Sequence, residues 1–237
     1  MKQMNTTIVF DIETRPDVKL VARNTKAFNH ESVKLGNTKD PDKIEAKIAQ
    51  AEAKYWEDAY GKAALDPHTS TICAIGYQLE EEEPVLLYGT EKSILERFWD
   101  TFEEYSASMW CYYTGNNGKG SFDIRHILVR SWVNKVRVPW GVVSQTGYIS
   151  AAFVDLAMIY LAGSDFNSFC GLDRCAKVLG LHGEDVGYAT VMSKEELKEL
   201  GASGARFHEL LDAGSELADT YLINDLALTR AVAGRLV

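Results

Sequence analysis

The chain has 237 residues, 46% of them hydrophobic and 25% charged, which is enough to bury a globular core and unlike a disordered or collagenous composition. No run approaches the ~20 apolar residues of a membrane-spanning helix, and the N-terminus MKQMNTTIVF reaches Asp11 with no room for a signal peptide, so a cytoplasmic protein is expected. The formal charge of −9 excludes a uniformly basic nucleic-acid-binding chain, although acids gathered for cations can coexist with a local basic rim.

Residues 6–12 (TTIVFDI) are β-branched and apolar and predict a buried central strand, ended by Arg15-Pro16-Asp17. From about 18 to 66 the pattern changes, and a surface insertion is expected there in an otherwise single domain over 1–237. Its first half holds the loop formers Asn24, Asn29, Gly36 and Asn37; its second half, 42–62, is rich in helix formers, with Asp42 placed as the cap. Residues 70–78 and 84–88 alternate as two strands around the acidic turn 80–83. An amphipathic helix follows over 94–105, with Ile94, Leu95, Phe98, Trp99 and Phe102 on one side. An apolar strand at 109–114 runs into a glycine-rich loop at 115–120 and then a helix over 122–134. A short strand at 153–156, helices at 172–179 and 194–200, and a long helix over 216–235 complete the pattern. Early strands, interleaved helices and a long last helix make an α/β layered fold.

The cysteines Cys73, Cys111, Cys170 and Cys175 contain no CxxC pair. Reduced thiols are expected of them in a cytosolic chain, and no zinc-ligand spacing accompanies Cys170 and Cys175.

Three acidic features stand beside apolar structure. Asp11 and Glu13 are i and i+2 in a strand and so project to one face. Two adjacent anions near a core repel and are costly to ionise, a cost that a divalent cation offsets; a strand simply leaving the core into solvent would carry the same pair. Asp123 follows the loop Gly115-Asn116-Asn117-Gly118-Lys119-Gly120-Ser121-Phe122 and opens a helix, where the dipole and free N–H groups favour a carboxylate, whether as a ligand or only as a first-turn acid. Tyr221 and Asp225 are i and i+4 on the last helix, on a stripe shared with Leu217, Leu228 and Val232. His208 and Asp212 have the same spacing but lack the long apolar continuation, so Tyr221 and Asp225 are preferred.

The order strand, turn-to-helix, last helix resembles the DEDD exonuclease superfamily, in its tyrosine form. FDIET at 10–14 looks like the first motif of that family, the run from Gly115 through Phe122 and Asp123 to Arg130 resembles the second, and Tyr221 to Asp225 matches the third. Within the superfamily the chain is similar to the proofreading domain of B-family DNA polymerases, and particularly to stand-alone phage and prophage exonucleases related to it. The resemblance covers most of the chain, including Asp155-Leu156.

The resemblance implies a ribonuclease H-like three-layer fold, with a central mixed sheet and flanking helices, and 3′→5′ hydrolysis of DNA to nucleoside 5′-monophosphates. It implies two divalent ions, Mg2+ or Mn2+, one on Asp11, Glu13 and Asp225 and the other on Asp11 and Asp123. Tyr221 would be a further catalytic residue, with Thr14, Asn117 and Phe122 contacting substrate; a phenylalanine before a helix is more often a core residue. The expected partners are DNA 3′ ends, single-stranded, and replication or recombination proteins. An exoribonuclease with the same site stays open as an alternative, because the motifs do not report the sugar. A non-catalytic polymerase-accessory module that binds nucleic acid is the other alternative, and it has no need of four converging acids. Finally, residues 18–47 carry seven basic and four acidic side chains, a local +3 in an acidic chain. They form either a phosphate-guiding rim or a solvated surface.

Overall fold

A computed structural model of the chain describes residues 6–80, 82–114, 122–145, 147–162, 170–181, 192 and 194–237. They divide into two compact units, one made of the chain up to Thr14 together with Ile72–Val237, the other of Arg15–Thr71.

The first unit is built on a five-stranded sheet of order β3-β2-β1-β4-β5, from β1 (Thr7–Pro16), β2 (Ser70–Leu79), β3 (Val85–Leu87), β4 (Met109–Tyr112) and β5 (Phe153–Asp155). β1 pairs parallel with β4 and β4 with β5, whereas β2 and β3 are antiparallel. The sheet is therefore mixed, as expected of the fold class.

Alternation in the strands creates two cores. Ile8, Phe10 and Ile12 of β1 and Trp110 and Tyr112 of β4 join a cluster with α3 (Glu91–Glu104) and α4 (Phe122–Val133). The intervening Val9, Cys111 and Tyr113 face a second cluster with α5 (Leu156–Leu161), α6 (Leu172–Val178) and α9 (Glu216–Leu236). Because successive strand residues point to opposite faces, helices cover both sides and the unit has three layers. Phe10, Phe98, Trp110 and Phe153 pack with tilted or edge-on ring geometry in the first core, an arrangement that adds to plain area burial. α7 (Lys194–Glu199) and α8 (Phe207–Asp212) lie between α6 and α9 in the chain, and Leu197 and Phe207 from them form a smaller cluster with Tyr221 and Leu222.

α9 sits unusually close to β2. A Cβ at Gly76 would come within 2.9 Å of both Leu222 Cγ and Leu226 Cδ1, so the absence of a side chain there lets the helix seat directly on the strand.

In the second unit, Asp17 does more than end a strand. Its Oδ1 accepts from the N–H groups of Lys19 (2.8 Å) and Leu20 (3.0 Å) and so caps α1 (Val18–Asn24), a helix within a stretch expected to be irregular. α2 spans Pro41–Ala63, and its cap is Asp40, not Asp42: Asp40 Oδ1 accepts from the Asp42 N–H, with Pro41 in the first helical position. Lys47 turns onto its own unit, donating to Leu35 O at 3.1 Å and Thr38 Oγ1 at 2.6 Å.

All four cysteines are free and buried, and burial pushes the Cys111 thiol up to about 12. Among the described residues no helix is long and apolar enough to cross a membrane.

Candidate functional site

β1 carries the first two acids. Phe10 and Ile12 are locked into the core below the sheet, so the residues between and after them, Asp11 and Glu13, emerge on the face shared with Val9 and α9. Cys73 of β2 donates its thiol to the Glu13 carbonyl at 3.4 Å, holding the neighbouring strand against this end of β1. α9 brings the third acid. Its buried stripe includes Tyr221, Leu222, Asp225, Leu228 and Val232, and the leucines that seat it at Gly76 fix its rotation.

The result is a convergence of Asp11, Glu13 and Asp225, with one carboxylate oxygen from each lying within 4.8 Å of the others. Glu13 and Asp225 are buried and Asp11 is half-buried. Three anions at that separation, sheltered from water, repel strongly unless positive charge joins them. An oxygen-only donor set of this kind suits a hard divalent cation, so the cluster can hold a metal ion.

Asp123 arrives from the other side of the 115–121 segment. Thr114, just beyond β4, accepts a hydrogen bond from the Phe122 N–H through Oγ1 at 2.9 Å, which ties the start of α4 to the end of the strand. Asp123 is then 2% exposed, and burial, followed by the charges of Asp11 and Asp155, holds its carboxyl well above the usual carboxylate range; backbone hydrogen bonds from Asp123 itself and Ile12 oppose this. Its Oδ2 is buried without a hydrogen-bond partner among the described residues. A carboxylate oxygen in that position lacks the compensation that burial demands, and a cation shared with Asp11 would supply it.

Asp155 is a neighbour that sequence reasoning did not single out as a site residue. It ends β5 and caps α5, accepting from the Ala157 N–H at 3.0 Å and the Thr114 N–H at 3.4 Å through Oδ1, while burial raises its carboxyl above the ordinary range. Its Oδ2 also has no partner among the described residues. The available signal was an acid at the junction of a short strand and a helix.

The other predicted positions are distributed as follows. Tyr221 is 6% exposed and lies one helical turn before Asp225, its ring 6.2 Å from that of Phe207. Thr14 is buried at the end of this unit's share of β1. Phe122 is half-buried, packs against the core under the sheet and stands 4.1 Å from the His126 ring. Asn117 lies outside the described residues. His208 and Asp212, on α8, are not part of the acidic convergence.

The fold matches that of a family B DNA polymerase from the hyperthermophilic archaeon Pyrobaculum calidifontis, with a TM-score of 0.58 and 16% sequence identity over 98% of this chain. The chain spans 24% of that polymerase. At that identity the likeness establishes the fold, an α/β ribonuclease H-like arrangement. No family model matches the sequence, and no curated protein matches it.

Proposed function

We propose that the protein is a metal-dependent 3′→5′ exonuclease that releases nucleoside 5′-monophosphates from single-stranded DNA 3′ ends. The observation that carries this reading is the convergence of Asp11, Glu13 and Asp225 within 4.8 Å, with Asp123 buried and one of its carboxylate oxygens lacking a hydrogen-bond partner among the described residues. Support for the substrate class comes from the sequence motifs and from the neighbour in fold, which is a DNA polymerase.

Asp11, Glu13 and Asp225 would hold one Mg2+ or Mn2+ ion, and Asp11 with Asp123 a second. When bound, such a pair supplies positive charge to both the attacking and the departing oxygen of an in-line displacement at phosphorus. The carboxylates provide the negative charge that retains the ions, and the low exposure of Glu13, Asp123 and Asp225 strengthens each interaction by excluding water. Tyr221 would orient the nucleophilic water through its hydroxyl, a group suited to donating or accepting a hydrogen bond and not to carrying the proton away.

The test is an oligonucleotide labelled at its 5′ end, incubated with Mn2+ or Mg2+. A ladder that shortens from the 3′ end, and that disappears with chelator and in Asp11→Ala, is the expected result. Internal cuts, or release of the label as a mononucleotide, would refute the reading. Binding of the oligonucleotide without any cleavage would instead favour a non-catalytic module, and preference for an RNA oligonucleotide would favour an exoribonuclease.

A further inference from the structure

Gly204 opens the 3₁₀ turn Gly204–Arg206 between α7 and α8. A methyl group at its Cα would stand 3.2 Å from Tyr221 Oη, and 3.9 Å from both Tyr221 Cζ and Glu13 Oε2. The phenol oxygen and a carboxylate oxygen of the acidic cluster thus both lie against one backbone position, although Gly204 and Tyr221 are on different elements. The backbone at Gly204 is not in the left-handed region, so its conformation does not call for glycine. What the position lacks is room for a side chain on the side of the phenol.

The turn is itself well fixed. The Arg206 N–H donates to Ser203 O at 2.9 Å, the Phe207 N–H donates to Gly204 O, and Phe207, fully buried, packs with Tyr221, Leu197, Ala202 and Leu222 in one cluster. A group added at Gly204 would therefore meet a turn that resists retreat, and the phenol would have to move by a few tenths of an ångström.

We propose that Gly204 is a positioning residue, whose missing side chain sets how deeply the Tyr221 hydroxyl sits beside Glu13. The inference rests on the exonuclease reading only for its kinetic consequence; the placement of the phenol is a property of the protein without cations.

The test uses wild type, Gly204→Ala, Tyr221→Phe and the double variant. In chelator, with tyrosine labelled at Cζ, the resonance missing from the Tyr221→Phe spectrum reports the phenol, and Gly204→Ala is expected to shift it. In the 3′-shortening assay Gly204→Ala is expected to lower kcat about tenfold and change KM less than about twofold, a cost in line with small misplacements of a catalytic group. Against the Tyr221→Phe background the same substitution should change kcat less than about twofold, since the 3.2 Å approach to the hydroxyl is gone and only the 3.9 Å ones remain. An unmoved resonance, or an equal loss in both backgrounds, would overturn the proposal. Wild type that shortens no DNA would defeat the exonuclease reading while the resonance still decided the placement. Were Gly204→Ala not to fold, a folded double variant would support the contact, and an unfolded one would assign the constraint to the turn and overturn it.

Discussion

Arg130 and Glu91 form a two-pronged ion pair beneath the surface, Nε to Oε1 at 2.8 Å and Nη2 to Oε2 at 2.7 Å, with side chains only 5% and 11% exposed. Glu91 also accepts from the Ile72 N–H and from Asn134 Nδ2, each at 2.7 Å. One carboxylate thereby joins β2, α3 and α4, the helix whose first turn bears Asp123. Glu91→Ala removes the carboxylate paired with a buried guanidinium and is expected to cost about 3–5 kcal/mol in urea unfolding. Replacing both partners with apolar residues, Glu91→Leu with Arg130→Met, should cost clearly less, because no buried charge is stranded.

Asp11 and Tyr221 should separate by substitution. Asp11→Ala deletes a ligand common to both proposed ions, and turnover should fall to background. Tyr221→Phe keeps the ring and its contact with Phe207, and activity is expected to stay within about a hundredfold of wild type, the scale of an orienting contribution. Initial rates in Mn2+, with circular dichroism to verify folding, distinguish the two. Complete loss in both would contradict the orienting role.

The raised carboxyl of Asp123 has a definite sign in stability. The folded state binds this proton more tightly than the unfolded chain, whose carboxyl titrates near about 3.9. Its contribution is full below that pH and is lost as pH rises through the folded value. In chelator, Asp123→Asn should therefore match wild type near pH 3.5 and melt higher at pH 7–8, by about 2–4 °C for each kcal/mol relieved. Saturating Mn2+ should reverse that ranking at pH 7–8: wild type gains about 2.7 kcal/mol at a hundredfold excess over Kd, and the asparagine variant gains less.

Gly76→Ala tests the seating of α9. Its methyl would press on Leu222 Cγ and Leu226 Cδ1, both at 2.9 Å, and overpacking of this kind costs about 1–3 kcal/mol. Because Asp225 rides on the displaced helix, Mn2+ affinity measured by calorimetry should weaken together with stability. A stability loss with unchanged affinity would show that the helix adjusts without moving its acid.

The basic stretch of the second unit can be tested through salt. Neutralising Lys19, Lys26, Lys34 and Lys39 should flatten the dependence of single-strand affinity on salt, by about 0.7 in log–log slope for each phosphate no longer neutralised. Neutralising Lys47, which is engaged with Leu35 and Thr38, should change the slope less. An unchanged slope in the first variant assigns this surface to solvent.

Much of the candidate site was legible because its acids sit on elements with strong periodicity. The run 6–12 is apolar and β-branched, so alternation alone puts Asp11 and Glu13 on a common face. Tyr221 and Asp225 lie on 21 helical residues, long enough for a stripe to be read. Asp155 was harder to see, because β5 has three residues and α5 six, too few to display a period. Asp17 and Asp40 show the same limit at the start of helices: a capping side chain is recognised only when the first turn is known, and Asp42 was an equally acidic neighbour. Gly204 is the extreme case, since its significance is a distance to a residue 17 positions along the chain and leaves no mark in local pattern.

The seating of α9 at Gly76 also bears on how the protein comes to be folded. Residue 225 must travel back to the strand that holds residue 11, and β1 must find its parallel partner β4 about a hundred residues away. Such distant closures are the slow part of folding. An intermediate with a formed sheet and an undocked last helix would have two acids of the cluster but not the third. Binding of the cation proposed for Asp11, Glu13 and Asp225 would then wait for the final step, while the one proposed for Asp11 and Asp123 would not, making uptake of the first a clock for complete assembly.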